Sequence, residues 1–165
     1  MALDQKLKVS CIQMDMPLGD PEKSYALADE LIREAMKESP DVLVLPETWN
    51  VGFYPHMDLE AQSDHNLEIV KARIGGLAKE LHVNIVAGSV SNVRDGLIYN
   101  TATVFDREGN LVAEYDKTHL FSPMKEDKRF TKGSRLCRFQ LDGIDCAIII
   151  CYDIRFPELI RSLTV

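Results

Sequence analysis

Asp41-Val42-Leu43-Val44-Leu45-Pro46 is a short apolar run closed by a proline. Such a run reads as a strand covered on both faces, the pattern of a layered α/β sheet. Upstream of it, Ser39-Pro40 ends a helical stretch in which Tyr25, Ala28, Leu31, Ile32 and Ala35 recur at helical spacing. That helix opens at Gly19-Asp20-Pro21, with Asp20 at the N-cap and Pro21 at the first helical position. Before it, Leu7 to Met14 sets Leu7, Val9 and Cys11 between polar or basic partners, the alternation of a strand. Strand, helix, strand in this order favours a parallel pair joined by a helical crossover.

Downstream, Trp49 to Ser63 holds no clean period, carries Gly52 and Pro55, and reads as a loop. Leu67 to His82 places Val70, Ile74, Leu77 and Leu81 on one helical stripe despite Gly75-Gly76, and Val83 to Val90 is a further apolar strand. Leu97 to Phe105 and Leu111 to Tyr115, parted by Arg107-Glu108-Gly109-Asn110, form a predicted hairpin. A sharper one joins Cys137 to Leu141 with Ile144 to Ile150 through Asp142-Gly143. Arg155-Phe156-Pro157-Glu158 reads as a helix start, with only Leu159 to Val165 after it. No repeat, low-complexity segment or linker divides the chain, so residues 1–165 form one α/β domain.

Composition narrows the function. Nineteen Lys+Arg against 26 Asp+Glu give a formal charge of −7, and no basic block interrupts that balance, which argues against a binder of nucleic-acid backbone. The longest apolar run, Ala147 to Tyr152, is far short of the ~18–20 residues of a membrane helix. Met1-Ala2-Leu3-Asp4-Gln5 has no basic stretch with an apolar core behind it, so no secretory signal is expected and a cytoplasmic protein is. Cys11, Cys137, Cys146 and Cys151 are then expected to be reduced thiols, and the spacing of the last three matches no compact zinc site.

Cys151 ends the most apolar strand and precedes a helix start. By residue type it is an inert core thiol or, at a strand-to-helix turn with free N–H groups ahead, a nucleophile expected to ionise below the ordinary ~8.5. Glu47, at the end of a buried strand, is a solvated carboxylate or a general base. Lys117 and Glu126 read by type as exposed charges. His119 invites a Cys–His pairing, but its sequence neighbours give it no orienting acid, and a packed histidine is the other reading.

Taken together, Leu45-Pro46-Glu47-Thr48, Tyr115-Asp116-Lys117-Thr118-His119-Leu120-Phe121 and Cys151-Tyr152-Asp153-Ile154-Arg155-Phe156-Pro157-Glu158 resemble, in order and spacing, the three signature segments of the nitrilase superfamily of carbon–nitrogen hydrolases. The third segment looks like the branch containing ω-amidases. The resemblance implies an α-β-β-α sandwich, of which this chain is the N-terminal part. It implies Glu47 as general base, Lys117 on the oxyanion side and Cys151 as nucleophile, with Glu126 as a second, structural glutamate and the Tyr152 backbone N–H as an oxyanion donor. No metal or organic cofactor is implied. Arg155 is a candidate for a substrate carboxylate, or else pairs with a neighbour such as Glu158.

The expected reaction is hydrolysis of a small carboxylate-bearing amide, with a homo-oligomer expected of the full-length form and neither nucleic acid nor membrane as partner. An N-carbamoyl compound or nitrile suits the same site. From other classes, a silent fragment acting through subunit association and a redox or zinc protein remain open. Members of the family continue beyond the helix after the nucleophile, so Ile148 to Ile150 are expected to show one poorly covered face.

Overall fold

The computed structural model describes residues 6–53 and 58–164. Met1 to Gln5, where a signal would begin, Pro55 of the expected loop and Val165 lie outside the described residues. β1 (Val9–Cys11) and β2 (Val42–Val44) run parallel, with α1 (Pro21–Ala35) as the crossover. Asp20 caps α1 by accepting the Lys23 N–H at 3.1 Å, with Pro21 next to it. The helix leaves through a 3₁₀ turn, Met36–Glu38, stopped by Ser39 at φ 48°, before Pro40.

β2 is covered on both sides. Leu43 belongs to the core shared with Ile32, Trp49, Ile74 and Phe105, whereas Val42 belongs to a second cluster with Val104, Ala113 and Leu141. β1, at the sheet edge, departs from its expected polarity. Ile12 and Met14 are buried, and Val9 and Cys11 are exposed. Their register with Val42 and Val44 puts Val9 and Cys11 on the non-helical face, at a margin where nothing covers them among the described residues.

Within the expected loop 49–63 the chain forms α2 (Leu59–Gln62), followed by β3 (Asp64–His65); both are too short to show a period. Buried Asp64 then accepts the Ile69 and Val70 N–H groups at 3.1 and 2.8 Å and so starts the next helical stretch. That stretch consists of α3 (Glu68–Val70), a π turn (Lys71–Gly75) and α4 (Gly76–Leu81). A Cβ on Gly75 would lie 3.1 Å from the Phe105 ring, so the small residue lets helix and sheet approach.

β4 (Asn84–Arg94) outruns the predicted 83–90 and turns at Asp95-Gly96, both at positive φ, into β5 (Leu97–Phe105). β6 (Leu111–Asp116) follows as the hairpin reading requires. The resulting six-stranded mixed sheet has the order β1-β2-β4-β5-β6, with β3 paired to the far end of β4. β7 (Arg138–Leu141) and β8 (Ile144–Ala147) form a two-stranded sheet around Asp142-Gly143, which packs on the non-helical face through Leu141, Phe139 and Ile148. Helix, sheet and sheet thus stack as the sandwich reading expects. β8 stops at Ala147, three residues before the predicted end; beyond it Ile148 and Ile149 are half-buried and Ile150 is buried. α5 (Pro157–Thr164) is tied back to β7, where the Arg138 guanidinium donates to the Ser162 carbonyl at 2.6 Å. No helix among the described residues is long and apolar enough to cross a membrane.

Candidate active site

Three chain segments converge beyond the strand ends. The first leaves β2 through Pro46 and is docked on a bulge in β4. Gly88 sits there at φ +55°, and a Cβ on it would fall 1.9 Å from the Pro46 carbonyl, so glycine is required. Ser89 N–H donates to that carbonyl at 3.0 Å, Thr48 N–H donates to Ser89 Oγ at 3.0 Å, and the buried Trp49 indole donates to the Ala87 carbonyl at 2.8 Å. Glu47 is thereby fixed on both sides.

The second segment continues β6. Lys117 N–H donates to the Asn100 carbonyl at 2.9 Å, and the Lys117 carbonyl accepts from Gly133 at 2.8 Å. The Lys117 side chain is only 2% exposed. Its ammonium donates to Glu47 Oε1 at 2.8 Å and to both oxygens of buried Glu126 at 3.1 and 2.9 Å. Burial alone would depress the ammonium, but the hydrogen bonds and charges of Glu47 and Glu126 outweigh it and hold Lys117 above the usual lysine range.

Glu126 is fully occupied. Besides Lys117 it accepts the Phe121 N–H at 2.6 Å and the Asn100 amide at 3.0 Å, closing the loop between residues 121 and 126. The reading of Lys117 and Glu126 by type as solvated charges does not hold, because each neutralises the other inside the protein. Asn100 was not legible as a site residue. Its Nδ2 bridges Glu126 and Glu47 Oε1, the latter at 2.9 Å, and its one sequence signal is a polar residue in an apolar strand. Both of these donors bind Oε1 of Glu47.

The third segment is Cys151–Arg155, a 3₁₀ turn rather than the start of the α-helix, which begins at Pro157. Cys151 heads it at φ +43°, a left-handed conformation that lifts an exposed thiol above the sheet edge. Partial desolvation of the sulfur, then the Glu47 charge and a hydrogen bond to Glu47, push the thiol up, and the Lys117 charge opposes this without prevailing. The expected depression of the Cys151 thiol is therefore corrected: desolvation of the sulfur, and after it the Glu47 charge, hold the thiol above its ordinary range. The other three cysteines are also free.

Tyr152 is the second residue of the same turn, where leading N–H groups lack intrahelical acceptors. Arg155 is exposed and does not line the cavity next to Cys151, and no pair with Glu158 forms among the described residues. His119 does have an orienting acid, Asp153, 34 residues away, with Nδ1 at 2.8 Å from Oδ1. The cavity beside the thiol, about 200 Å³, is lined by Glu47, Val44, Val86, Ile148, Ile150 and Cys151. A larger hollow of about 500 Å³ lies beyond β6, but its Arg94 is already paired with Glu114 and Asp116.

A carboxylate braced by an amide and an ammonium thus stands beside a thiol on a left-handed turn. The family model for carbon-nitrogen hydrolases matches residues 8–165, and the chain belongs to that family. It is 40% identical over 159 residues to the 2-oxoglutaramate amidase of Bacillus subtilis, covering 96% of this chain and 61% of that protein. It is 29% identical over 167 residues to an omega-amidase of Xenopus tropicalis, covering 93% and 58%. Among solved structures it superposes on Nit3 of Saccharomyces cerevisiae, a member of branch 10 of the nitrilase superfamily, with a TM-score of 0.83 at 26% identity, covering 93% of this chain and 58% of that one. The chain thus spans about three-fifths of the length of the relatives it matches.

Proposed function

We propose that this chain carries the amidase site of an ω-amidase-like hydrolase, converting a small carboxylate-bearing amide and water into an acid and ammonia. The observation that supports it is the Glu47–Lys117–Glu126 cluster, with the buried Lys117 ammonium 2.8 Å from Glu47 Oε1 and Glu47 beside the Cys151 thiol.

In this reading Glu47 takes the thiol proton as sulfur attacks the amide carbon. Because the resting thiol is protonated, transfer accompanies attack, and Glu47 need only be poised, as its fixed Oε1 leaves it. Lys117 and the Tyr152 N–H stabilise the oxygen of the tetrahedral intermediate, each such donor contributing on the order of 10²–10³ in rate. Glu47 returns the proton to the departing ammonia, leaving a thioester; it then activates water, and the acid is released with the thiol restored. Glu126 holds Lys117 in place, since its acceptor sites are already filled. Arg155, exposed, is available for the substrate's distant carboxylate. The relative named as a 2-oxoglutaramate amidase suggests the monoamide of a 2-oxo dicarboxylic acid. A cytoplasmic homo-oligomer is the proposed setting.

The test is ammonia release from small ω-amides, N-carbamoyl amino acids and nitriles, with Cys151→Ala alongside. Release confined to carboxylate-bearing ω-amides and abolished in Cys151→Ala is expected. Release that survives Cys151→Ala removes the nucleophile assignment; preference for a carbamoyl compound or nitrile removes the substrate assignment.

A further inference from the structure

One carboxylate beside the site takes part in none of these steps. Asp153 is fully buried two residues after Cys151, and its oxygens accept four donors. Oδ2 takes the Ile150 N–H at 3.0 Å and the Tyr115 hydroxyl at 2.8 Å; Oδ1 takes the His119 backbone N–H at 2.9 Å and the His119 ring at 2.8 Å. A carboxylate only accepts, so the ring proton lies on Nδ1, and the bond fixes the orientation of the His119 ring. Phe156 completes the arrangement. Its N–H donates to the Asp153 carbonyl at 3.0 Å, and its ring stacks on His119 at 3.6 Å between centroids.

The donors' positions along the chain are informative. Tyr115 and His119 stand two residues either side of Lys117, and Ile150 and Asp153 bracket Cys151. A single buried charge therefore ties the segment carrying the ammonium to the turn carrying the thiol. It also accepts the N–H of the residue whose successor holds the left-handed backbone.

We propose that Asp153 is a positioning residue that sets the placement of the Cys151 thiol against Lys117 and Glu47. It acts through the backbone of both segments without touching substrate. The inference rests on the amidase reading for its meaning in turnover, but not for its geometry, so two measurements are made on the full chain.

In Asp153→Asn the shape is kept, but one acceptor oxygen becomes an NH₂ facing donors. Ammonia release should fall about 100-fold, the cost of ~1 Å misplacement, with the loss in kcat rather than KM. Independently of turnover, the pH midpoint of Cys151 alkylation by iodoacetamide should move down toward the ~8.5 of a free thiol as the turn opens to water. Tyr115→Phe, which removes one donor of four and leaves the charge held, should move both readouts the same way by less, and covers the case in which Asp153→Asn does not fold. Wild-type kcat and wild-type alkylation midpoint in a folded variant, with only the melting temperature lowered, would overturn the proposal. A wild-type chain that hydrolyses no amide would remove the amidase reading, while the alkylation shift would still decide the positioning role.

Discussion

The two faces of the six-stranded sheet arise from one alternation of side chains and end in different states. On the helical face Ile32, Leu43, Trp49, Ile74, Ile85 and Phe105 are all at or below 1% exposure. On the other face Val42, Val104 and Leu141 are buried, but Val44, Val86, Phe139 and Ile148 are only partly so, and a cavity of about 200 Å³ opens beside Cys151. The helical face uses its area for close packing. The other gives up part of that packing and holds a buried cluster of charges whose desolvation is costly unless every member is paired. Close packing is concentrated on one side of the sheet, the candidate site on the other.

The largest effect should follow from breaking the charged side. Lys117→Ala leaves Glu47 and Glu126 facing each other without their cation. Removing one partner of a buried pair costs about 3–5 kcal/mol, and loss of the proposed oxyanion donor should cost a further ~10²–10³ in turnover. Denaturant unfolding and ammonia release on the same preparation check both. Unchanged stability would mean that the cluster is solvated, and a loss confined to KM would contradict the oxyanion role.

On the helical face, Ile32→Ala should cost about 2–5 kcal/mol through lost burial and the cavity left behind. Below its melting range the variant should keep the wild-type kcat, because Ile32 lies in the core on the side of the sheet away from the thiol. A kcat that falls in step with stability would show the faces to be coupled.

The same contrast explains what was legible from the sequence. α1 announces itself through Asp20, Pro21 and a helical stripe, all local signals, and the β1–α1–β2 unit follows. The Asp142-Gly143 hairpin is read directly, whereas the equivalent Asp95-Gly96 turn is hidden because Ser89, Ser91 and Asn92, all buried, break the apolar alternation of β4. α2 and β3 are too short to carry a period. In the site, Glu47, Lys117 and Cys151 stand out only through their signature segments, since by residue type each has a bland reading. Asn100 and Asp153 escape because their roles come from partners 26 to 53 residues away, brought near by the fold alone. The direction of the Cys151 shift is illegible for the same reason: the turn is visible in the sequence, but the desolvation of the sulfur and the Glu47 charge beside it are tertiary facts.

That charge gives a smaller, sharper test. In Glu47→Gln the carboxylate that raises the Cys151 thiol, by charge and by hydrogen bond, is replaced by a neutral amide, while Lys117 still favours the thiolate. The alkylation midpoint of Cys151 should start above the ordinary thiol value and fall on substitution, and ammonia release should cease. A thiol that becomes more acidic while the reaction stops identifies Glu47 as a proton acceptor. A midpoint that rises instead would place Lys117 in control of the sulfur.

The smallest effect belongs to the join between the two sheets. Asp142, in the β7–β8 turn, accepts from the Arg107 guanidinium at 2.7 Å and from the Asn84 amide at 2.8 Å. The hydrogen bond from Arg107 chiefly, with help from Asn84, holds the Asp142 carboxyl below its ordinary range. A depressed carboxylate stabilises the fold above its unfolded value of about 3.9, and that contribution is lost as pH falls through the native one. Asn tolerates the same left-handed turn position, so Asp142→Asn removes the charge and keeps the hairpin. Partly exposed as the pair is, the substitution should cost no more than about 1 kcal/mol at neutral pH. Urea midpoints of variant and wild type should converge in acid. A gap that persists at low pH would assign the cost to the turn itself, and a neutral-pH loss of several kcal/mol would mean that the hairpin's hold on the sheet runs through this one ion pair and not through Leu141 and Phe139 packed beneath it.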